Sequence, residues 1–513
     1  MIGRIAIAGA VLLAQLFFCD VLHAEKFRIA AKPSKNKRLA PELDVLRECN
    51  GKLTGFCKCG KPVIDVPPES KQTLKAMALT VDENPPPVTS RPMRLLLSYD
   101  AQSGKPAAET LEAAHLRAVD DYQKGQFLVV EPIQTVSAQT VDVLMSDDAV
   151  VHAAPDYVLR LPDSKNVRMM DTPTDSDTPT DPLYGRLWGM KNINANRVWN
   201  SGHRTAPNIV VAVIDTGVDY NHPDLKNNMW TKNGSHGFDF FDDDSQPMDE
   251  QGHGTHCAGT IAGEGNNNVG VVGVCWKAQI MAMRFLGPDG SGATSDAVKC
   301  IDWAVANGAH VLSNSWAGPD NSVELNAAIS RAEAKGVLFV AAAGNTVNSG
   351  NNNDARPFYP ASCPNQNIIS VAAIDVNNAI GTFSHYGVRS VDIGAPGVGI
   401  VSCMPNNRYA ELDGTSMACP HVAGAAALIW AKAFANPAQS PAQMTQVRDL
   451  ILHNARPLSI AANRWGQAAP ARVPGGVLDL SFMINGSSSP STPTPVGPRF
   501  VERRAVVDPI KLR

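Results

Sequence analysis

The sequence predicts a doubly wound α/β domain with a mostly parallel sheet, preceded by a small α+β unit. Between residues 181 and 483, strand-like apolar runs at 209–214, 280–284, 311–315, 337–341 and 368–372 alternate with helical stretches. That alternation is the signature of parallel strands covered by helices on both faces. Upstream, strand and helix patterns are shorter and mixed, as in a compact α+β unit. The two regions are separated by a stretch of Asp, Thr, Ser and Pro, whose composition favours exposure over burial.

Taken in chain order, residues 1–24 carry Arg4, an apolar run from Ile5 to Phe18, and the small Ala24 just before Glu25. This is the layout of a cleavable secretory signal peptide. No later stretch approaches about 18 continuous apolar residues, so no membrane span is expected in the mature chain. Residues 25–91 are rich in Lys and Pro, with Pro85, Pro86 and Pro87 in a row, and read as mostly irregular. Within 92–161 the pattern predicts a strand at 94–98, a helix at 107–122, a strand at 127–131, a helix at 137–145 and an extended end at 157–161. Residues 162–180 form the linker, where a processing site is expected. The segment 181–483 is the large domain, and the Ser, Thr and Pro-rich tail 484–513 reads as disordered.

With 513 residues, 44% of them hydrophobic and 18% charged, the chain is long enough for one large core plus accessory segments. A net charge of −4 leaves no electrostatic footprint for nucleic acid. Of ten cysteines, Cys19 lies in the leader, Cys49, Cys57 and Cys59 follow early, and six fall between Cys257 and Cys419. Secretion permits disulfides, but nine thiols cannot all pair within one chain. Cys57 and Cys59 are too sparse for a zinc site.

The run 209–214 ends in Asp215-Thr216-Gly217, placing a carboxylate just past the carboxyl end of a strand, where catalytic crevices of open α/β sheets lie. Asp219 is a rival, and either aspartate could simply cap a turn. His253 opens a helical run crowded with small residues, Gly252 to Gly259, and can serve there as a general base. His256 follows too closely for the i, i+4 zinc pattern. Ser416 lies at the start of an apolar helix, where open N–H groups and the helix dipole favour negative charge. Taken alone it could be an ordinary N-cap. Asn345 ends the run from Val337 with an amide able to hold an oxyanion. The order Asp, His, Ser is one of the known chain orders of a single catalytic arrangement.

Asp215-Thr216-Gly217, His253-Gly254-Thr255-His256 and Gly414-Thr415-Ser416-Met417-Ala418 resemble the three signature blocks of the subtilisin family. The resemblance covers 181–483, and the unit 93–161 is similar to that family's inhibitory propeptide. It implies a secreted, monomeric serine endopeptidase made as a zymogen, with its own propeptide as inhibitor, acting on protein or peptide substrates without a catalytic cofactor. Asp215 would orient the imidazole, His253 take and return the proton, Ser416 attack the carbonyl and Asn345 stabilise the oxyanion. Ser315, Trp316 and Ala317 would line one wall of the substrate cleft, Ala342 and Gly344 the other, with Phe358 at the base of the primary pocket. Trp316 stands where a smaller aliphatic residue is common, and reads either as a specificity element or as core packing.

The same resemblance implies calcium at Asp224 with Gly265, Asn267, Val269 and Val271, and a second calcium at Asp239, Asp242, Asp244 and Gln246, an acidic loop that could instead be merely solvated. Cys257 and Cys419 occupy positions that the family keeps buried and small, against a thiol-peptidase reading. Cys275, Cys300, Cys363 and Cys403 are the disulfide candidates, with no pairing assigned. Asn233 and Asn485 fit the glycosylation acceptor pattern. The competing class is a catalytically silent binding protein on the same fold. It would lack a triad or oxyanion residue, and none is missing.

Overall fold

A computed structural model describes residues 3–6, 38–48, 52–56, 62–66, 93–100, 104–162, 165–169, 179–346, 351–458 and 476–484. The large domain is organised by a seven-stranded parallel sheet. Its spatial order is Gly237–Asp239, Lys277–Arg284, Thr205–Asp215, Val311–Asn314, Leu338–Ala342, Ile368–Ile374 and Ile393–Pro396. All five anticipated strands are present. The strand order reverses beside Thr205–Asp215, which places Asp215 at the crevice such a reversal opens.

Successive side chains of Thr205–Asp215 feed two different cores. Val211 and Val213 join the cluster on the side of helices His253–Ala262 and Thr415–Ala433. Val210, Ala212 and Ile214 join the other, with helices Thr294–Ala306 and Val323–Ala334. Period-two alternation with both faces apolar is what a doubly covered strand needs. Every residue from Thr415 to Trp430 is buried, so that helix runs through the core instead of over it.

The N-terminal unit is a five-stranded sheet in the order Arg38–Leu39, Val150–Pro155, Leu95–Tyr99, Phe127–Pro132 and Leu116–Tyr122. Three helices, Pro41–Glu48, Ala108–Ala113 and Ala138–Ser146, share its apolar core. The helix expected over 107–122 stops at Ala113. His115 takes φ +54 and turns the chain into a strand antiparallel to Phe127–Pro132. Strand Val150–Pro155 was not anticipated, and it pairs with the central strand Leu95–Tyr99.

Within 25–91 the described residues, 38–48, 52–56 and 62–66, form regular elements. Strands Lys52–Phe56 and Pro62–Val66 pair with each other, and Gly3–Ala6 extends them. Leu43 and Leu46, three residues apart, turn one face of helix Pro41–Glu48 into the core. Within the linker, Lys165–Met169 forms a strand antiparallel to Arg408–Asp413, a sheet edge with open backbone groups to satisfy. The expected leader, apart from Gly3–Ala6, and the tail beyond Ile484 lie outside the described residues, as do Cys49, Cys57, Cys59 and Asn485.

The disulfide expectation fails among the described residues. Cys275, Cys300, Cys363 and Cys403 are buried thiols, none of them disulfide-bonded. Each serves as a small apolar core residue. No helix among the described residues is long and apolar enough to cross a membrane.

Candidate active site

Three elements deliver the site. Strand Thr205–Asp215 ends on Asp215, helix His253–Ala262 begins on His253, and Ser416 sits in the first turn of Thr415–Ala433. His253 Nδ1 lies 2.8 and 3.0 Å from the two carboxylate oxygens of Asp215. A carboxylate only accepts, so Nδ1 carries the proton and Nε2 presents its lone pair. Nε2 is buried and has no hydrogen-bond partner. Asp219, the rival, accepts from the Asn221 and Asn406 backbone N–H groups as a turn residue does.

The start of the His253 helix is held by a residue the sequence reading did not single out. Asp249, fully enclosed, accepts from the backbone N–H groups of Gln251, Gly252 and Thr255 and from the hydroxyls of Thr216 and Thr255. Burial raises its pKa above the usual carboxylate range while these donors oppose the shift. Its position four residues before His253 was the available signal. The Thr216 hydroxyl accepts in turn from Gly254 N–H at 2.9 Å, joining the Asp215 strand to the His253 helix.

Ser416 Oγ donates to the Ser315 carbonyl at 3.1 Å, not to His253. Its own carbonyl accepts from Ser315 Oγ at 3.0 Å and from Cys257 Sγ at 3.5 Å, fixing the helix start. Asn345 Oδ1 accepts from both Thr415 N–H and Thr415 Oγ, at 3.0 and 2.9 Å. With the amide oxygen so occupied, Nδ2 is turned toward the Gly414 backbone beside Ser416. Thr415 is a second residue the motif reading passed over.

The walls of a cleft continue from two neighbouring strands. Ser315, Trp316 and Ala317 follow Val311–Asn314, and Ala342 to Gly344 end Leu338–Ala342. Between Ala317 and the strand Ser291–Ala293 lies the extended segment Val158–Arg160 of the N-terminal unit. Arg160 and Ala317 exchange two backbone hydrogen bonds, at 3.1 and 2.9 Å, and Leu161 N–H reaches the Gly290 carbonyl at 3.0 Å. Trp316 is fully buried while Val158–Arg160 is seated, sharing one cluster with Leu159 of that segment and with Phe285, whose ring lies 5.1 Å from its own in an edge-to-face contact.

His256 turns away from His253. Its Nε2 faces the carbonyls of Ile400 and Ala410, and burial lowers its pKa to about 3, so the two histidines form no metal pair. Burial raises the thiol pKa of both Cys257 and Cys419, the latter to about 11. A neutral buried thiol is a poor nucleophile.

Of the first expected cation loop, the structure brings Asp224, Asn267 and Val271 together and adds Asp181. Asp224 accepts from Asn267 Nδ2, Val271 N–H and the Tyr409 hydroxyl at 2.7, 2.9 and 3.0 Å. Asp181 accepts from the N–H groups of Asn266 and Asn267. Burial, reinforced by the Asp181 charge, pushes Asp224 up to about 7, and burial takes Asp181 to about 6. Two buried carboxylates with raised pKa values suit a hard cation, while Asn267 turns the donor end of its amide, Nδ2, toward Asp224. Gly265 and Val269 lie on the same loop, where Val269 N–H bonds Asn267 Oδ1.

The second loop does not fit. Arg284 Nη1 lies 2.7 Å from Asp239 and 2.8 Å from Asp242, and its Nη2 3.0 Å from Glu250. The guanidinium occupies the place a cation would take. Asp244 accepts from Gln246 N–H, a turn bond.

Residues 206–476 match the profile of the Subtilase family. The chain belongs to the subtilase family. Among its relatives, it is 38% identical over 325 residues to the thermophilic serine proteinase of Bacillus sp. (strain AK1), covering 63% of this chain and 73% of that one. It is 42% identical over 253 residues to thermitase of Thermoactinomyces vulgaris, covering 49% and 85%. It is also 42% identical over 257 residues to subtilisin BL of Lederbergia lenta, covering 50% and 87%. The seven-stranded sheet is that of a subtilisin-like α/β fold, and this subtilase is a serine endopeptidase.

Proposed function

We propose that Ser416, His253 and Asp215 are the catalytic triad of this subtilase, with Asn345 as oxyanion donor. The observation that carries the reading is the Asp215–His253 pair, which leaves the other, buried imidazole nitrogen open, while Cys257 Sγ, 4.0 Å from His253 Nδ1 and 3.5 Å from the Ser416 carbonyl oxygen, ties that pair to a serine at a helix start. His253 Nε2 takes the Ser416 Oγ proton as Oγ, rotated off the Ser315 carbonyl, bonds the substrate carbonyl carbon. The developing oxyanion is held by Ser416 N–H and Asn345 Nδ2. Collapse breaks the C–N bond, and the leaving amine takes the proton from His253. Water, deprotonated by His253, then hydrolyses the acyl-enzyme. Asp215 holds the tautomer and the resulting imidazolium throughout.

The chain is made as a secreted zymogen. A leader pattern at 1–24 supports export, and the N-terminal unit supports inhibition because its Val158–Leu161 segment occupies the cleft as an extended strand. Asp156 of that unit caps helix Thr294–Ala306 through Ser295 N–H and Oγ at 2.9 and 2.7 Å. The Ser416 centre cuts within 162–180 to free a monomeric enzyme. A structural calcium is held by Asp224, Asp181, Asn267 and the carbonyls of Gly265, Val269 and Val271. Calcium there neutralises the buried carboxylates and takes no part in bond cleavage. Glycosylation at Asn233, in an exposed turn, belongs to the same secretory reading.

A fluorophosphonate probe tests the triad. Mature protein is expected to be labelled, with labelling lost in Ser416→Ala and kept in Cys419→Ala. Absence of labelling in the mature protein would favour the silent binding protein instead.

A further inference from the structure

His222, Asp224 and Cys403 converge beside loop 265–271. One metal-ligating atom from each lies within 4.8 Å of the other two, and all three residues are buried. His222 and Asp224 follow strand Thr205–Asp215, whereas Cys403 comes from strand Ile400–Met404, opposite Tyr409 in the antiparallel strand Arg408–Asp413. The sulfur needs a bare neighbour. A Cβ on Gly259 would come within 2.7 Å of Cys403 Sγ and 2.5 Å of Ser402 Oγ.

Each of the three has a donor to offer. His222 Nδ1 accepts from Asp224 N–H at 3.2 Å, so the ring proton sits on Nε2, 3.3 Å from the Arg408 carbonyl. Metal-binding imidazoles present one nitrogen to the ion in this way and give the other N–H to a backbone carbonyl. The ring is also held edge-on against Tyr409, with centroids 5.3 Å apart, and the Tyr409 hydroxyl donates to Asp224 Oδ2 at 3.0 Å. Tyr409 therefore braces two of the three residues. Cys403 packs as a core residue and carries a free thiol.

Imidazole nitrogen, carboxylate oxygen and thiolate sulfur are the ligand types of zinc, and three protein ligands leave a fourth position for water. Zinc bonds of about 2.0–2.3 Å set neighbouring ligands about 3.5 Å apart, so binding asks the triangle to close by about 1 Å. Calcium takes oxygen ligands and has no use for the sulfur. Asp224 thus belongs to two chemically distinct donor sets, one with Asp181 and loop 265–271, the other with His222 and Cys403.

We propose that His222, Asp224 and Cys403 form a zinc site that shares the Asp224 carboxylate with calcium, so that the two ions exclude each other. The thiol proton leaves to solvent as Cys403 Sγ binds, and no electron is transferred. The zinc site stands on its own geometry, and only the exclusion rests on the calcium reading.

The test uses mature protein blocked with a fluorophosphonate to stop self-digestion, stripped of metal with a chelator, and titrated with cobalt(II), whose thiolate complexes absorb in the near ultraviolet. A charge-transfer band saturating at a single cobalt per chain is expected. It should be lost in Cys403→Ser, kept in Cys257→Ala, and formed with at least about tenfold weaker affinity in His222→Gln, with cooperative melting checked for every variant. Zinc should erase the band by displacement, and saturating calcium should weaken cobalt binding at least about tenfold. No band in the wild type would overturn the inference. So would a band that survives Cys403→Ser and is lost in Cys257→Ala, which would move the metal to Cys257 beside Asp215 and His253. If calcium raises the melting temperature yet leaves cobalt binding unchanged, Asp224 is not shared and the inference falls alone. If calcium changes neither, the calcium reading falls and the thiolate site stands.

Discussion

Thr415 places two hydrogen bonds, from its backbone N–H and its hydroxyl, on the single amide oxygen of Asn345. An amide has one oxygen and one NH2 group, so occupying the oxygen decides which way the donor points. The residue just before Ser416 therefore sets the direction in which Asn345 Nδ2, the proposed oxyanion donor, points. Thr415→Val keeps the shape and removes the hydroxyl. We expect kcat to fall about tenfold with KM little changed, a fraction of the roughly 100- to 1000-fold attached to losing such a donor outright. Steady-state kinetics of Thr415→Val beside Asn345→Ala measures it, and equal losses would show that Thr415 carries the whole effect.

Asp249 gathers five donors beneath the start of the His253 helix. Removing a buried acceptor strands the donors it served, at about 1–3 kcal/mol for each group left bare. Asp249→Ala should lose about 3 kcal/mol or more of stability and, because Gly252 and Thr255 flank His253, lower kcat as well. Denaturant melts and kinetics on the same preparation check both halves.

How far the sequence could be read depended on how local the determining physics was. The five central strands and the motifs around Asp215, His253 and Ser416 were legible because each rests on a short local pattern, an apolar run or a residue at a strand end or helix start. Asp249 and Thr415 were passed over because their roles depend on what their side chains meet across the fold. Asp181 carried even less signal, since it faces Asp224 only after the chain returns past loop 265–271. Leu116–Tyr122 read as helix because an isolated amphipathic stretch is ambiguous, and the turn at His115 decides it. Arg284 was invisible as a cation at Asp239 because 45 residues separate the partners.

Loop 265–271 makes a pH-dependent prediction for calcium. Asp224 has a folded pKa of about 7, raised above its unfolded value. Such a carboxyl contributes stability that is fully present below the unfolded pKa and is lost as pH rises through the folded one. Calcium supplies the missing counter-charge only where the carboxylate is ionised. Chelation should therefore lower the melting temperature more at about pH 8 than at about pH 5. Equal shifts at both pH values would remove Asp224 from the site.

Arg284 serves the second acidic loop as an internal cation. Within it only the Arg284–Asp239 pair is buried, Asp242 and Glu250 being largely exposed, and removing one partner of a buried pair leaves an uncompensated charge, typically at about 3–5 kcal/mol. Arg284→Met is expected to be destabilised by that order and to recover part of the loss in added calcium, as Asp239 and Asp242 become open to a metal. Wild type should show no second calcium-dependent transition. Calorimetric titration of both proteins counts the sites.

Leu159 anchors the strand that fills the cleft. It is buried with Trp316 and Phe285, and its Cδ2 lies 3.0 Å from where a Gly318 Cβ would be. An aspartate there would bury an unpaired charge among apolar rings, a cost that ejection of the strand relieves. Ejecting it also frees the edges of Ala317 and Ser291–Ala293 for substrate. Full-length Leu159→Asp should therefore react with a fluorophosphonate before processing, whereas unprocessed wild type should react slowly. Equal labelling of the two would mean that Val158–Leu161 does not restrain Ser416, and that inhibition must come from the pairing of Lys165–Met169 beside Arg408–Asp413.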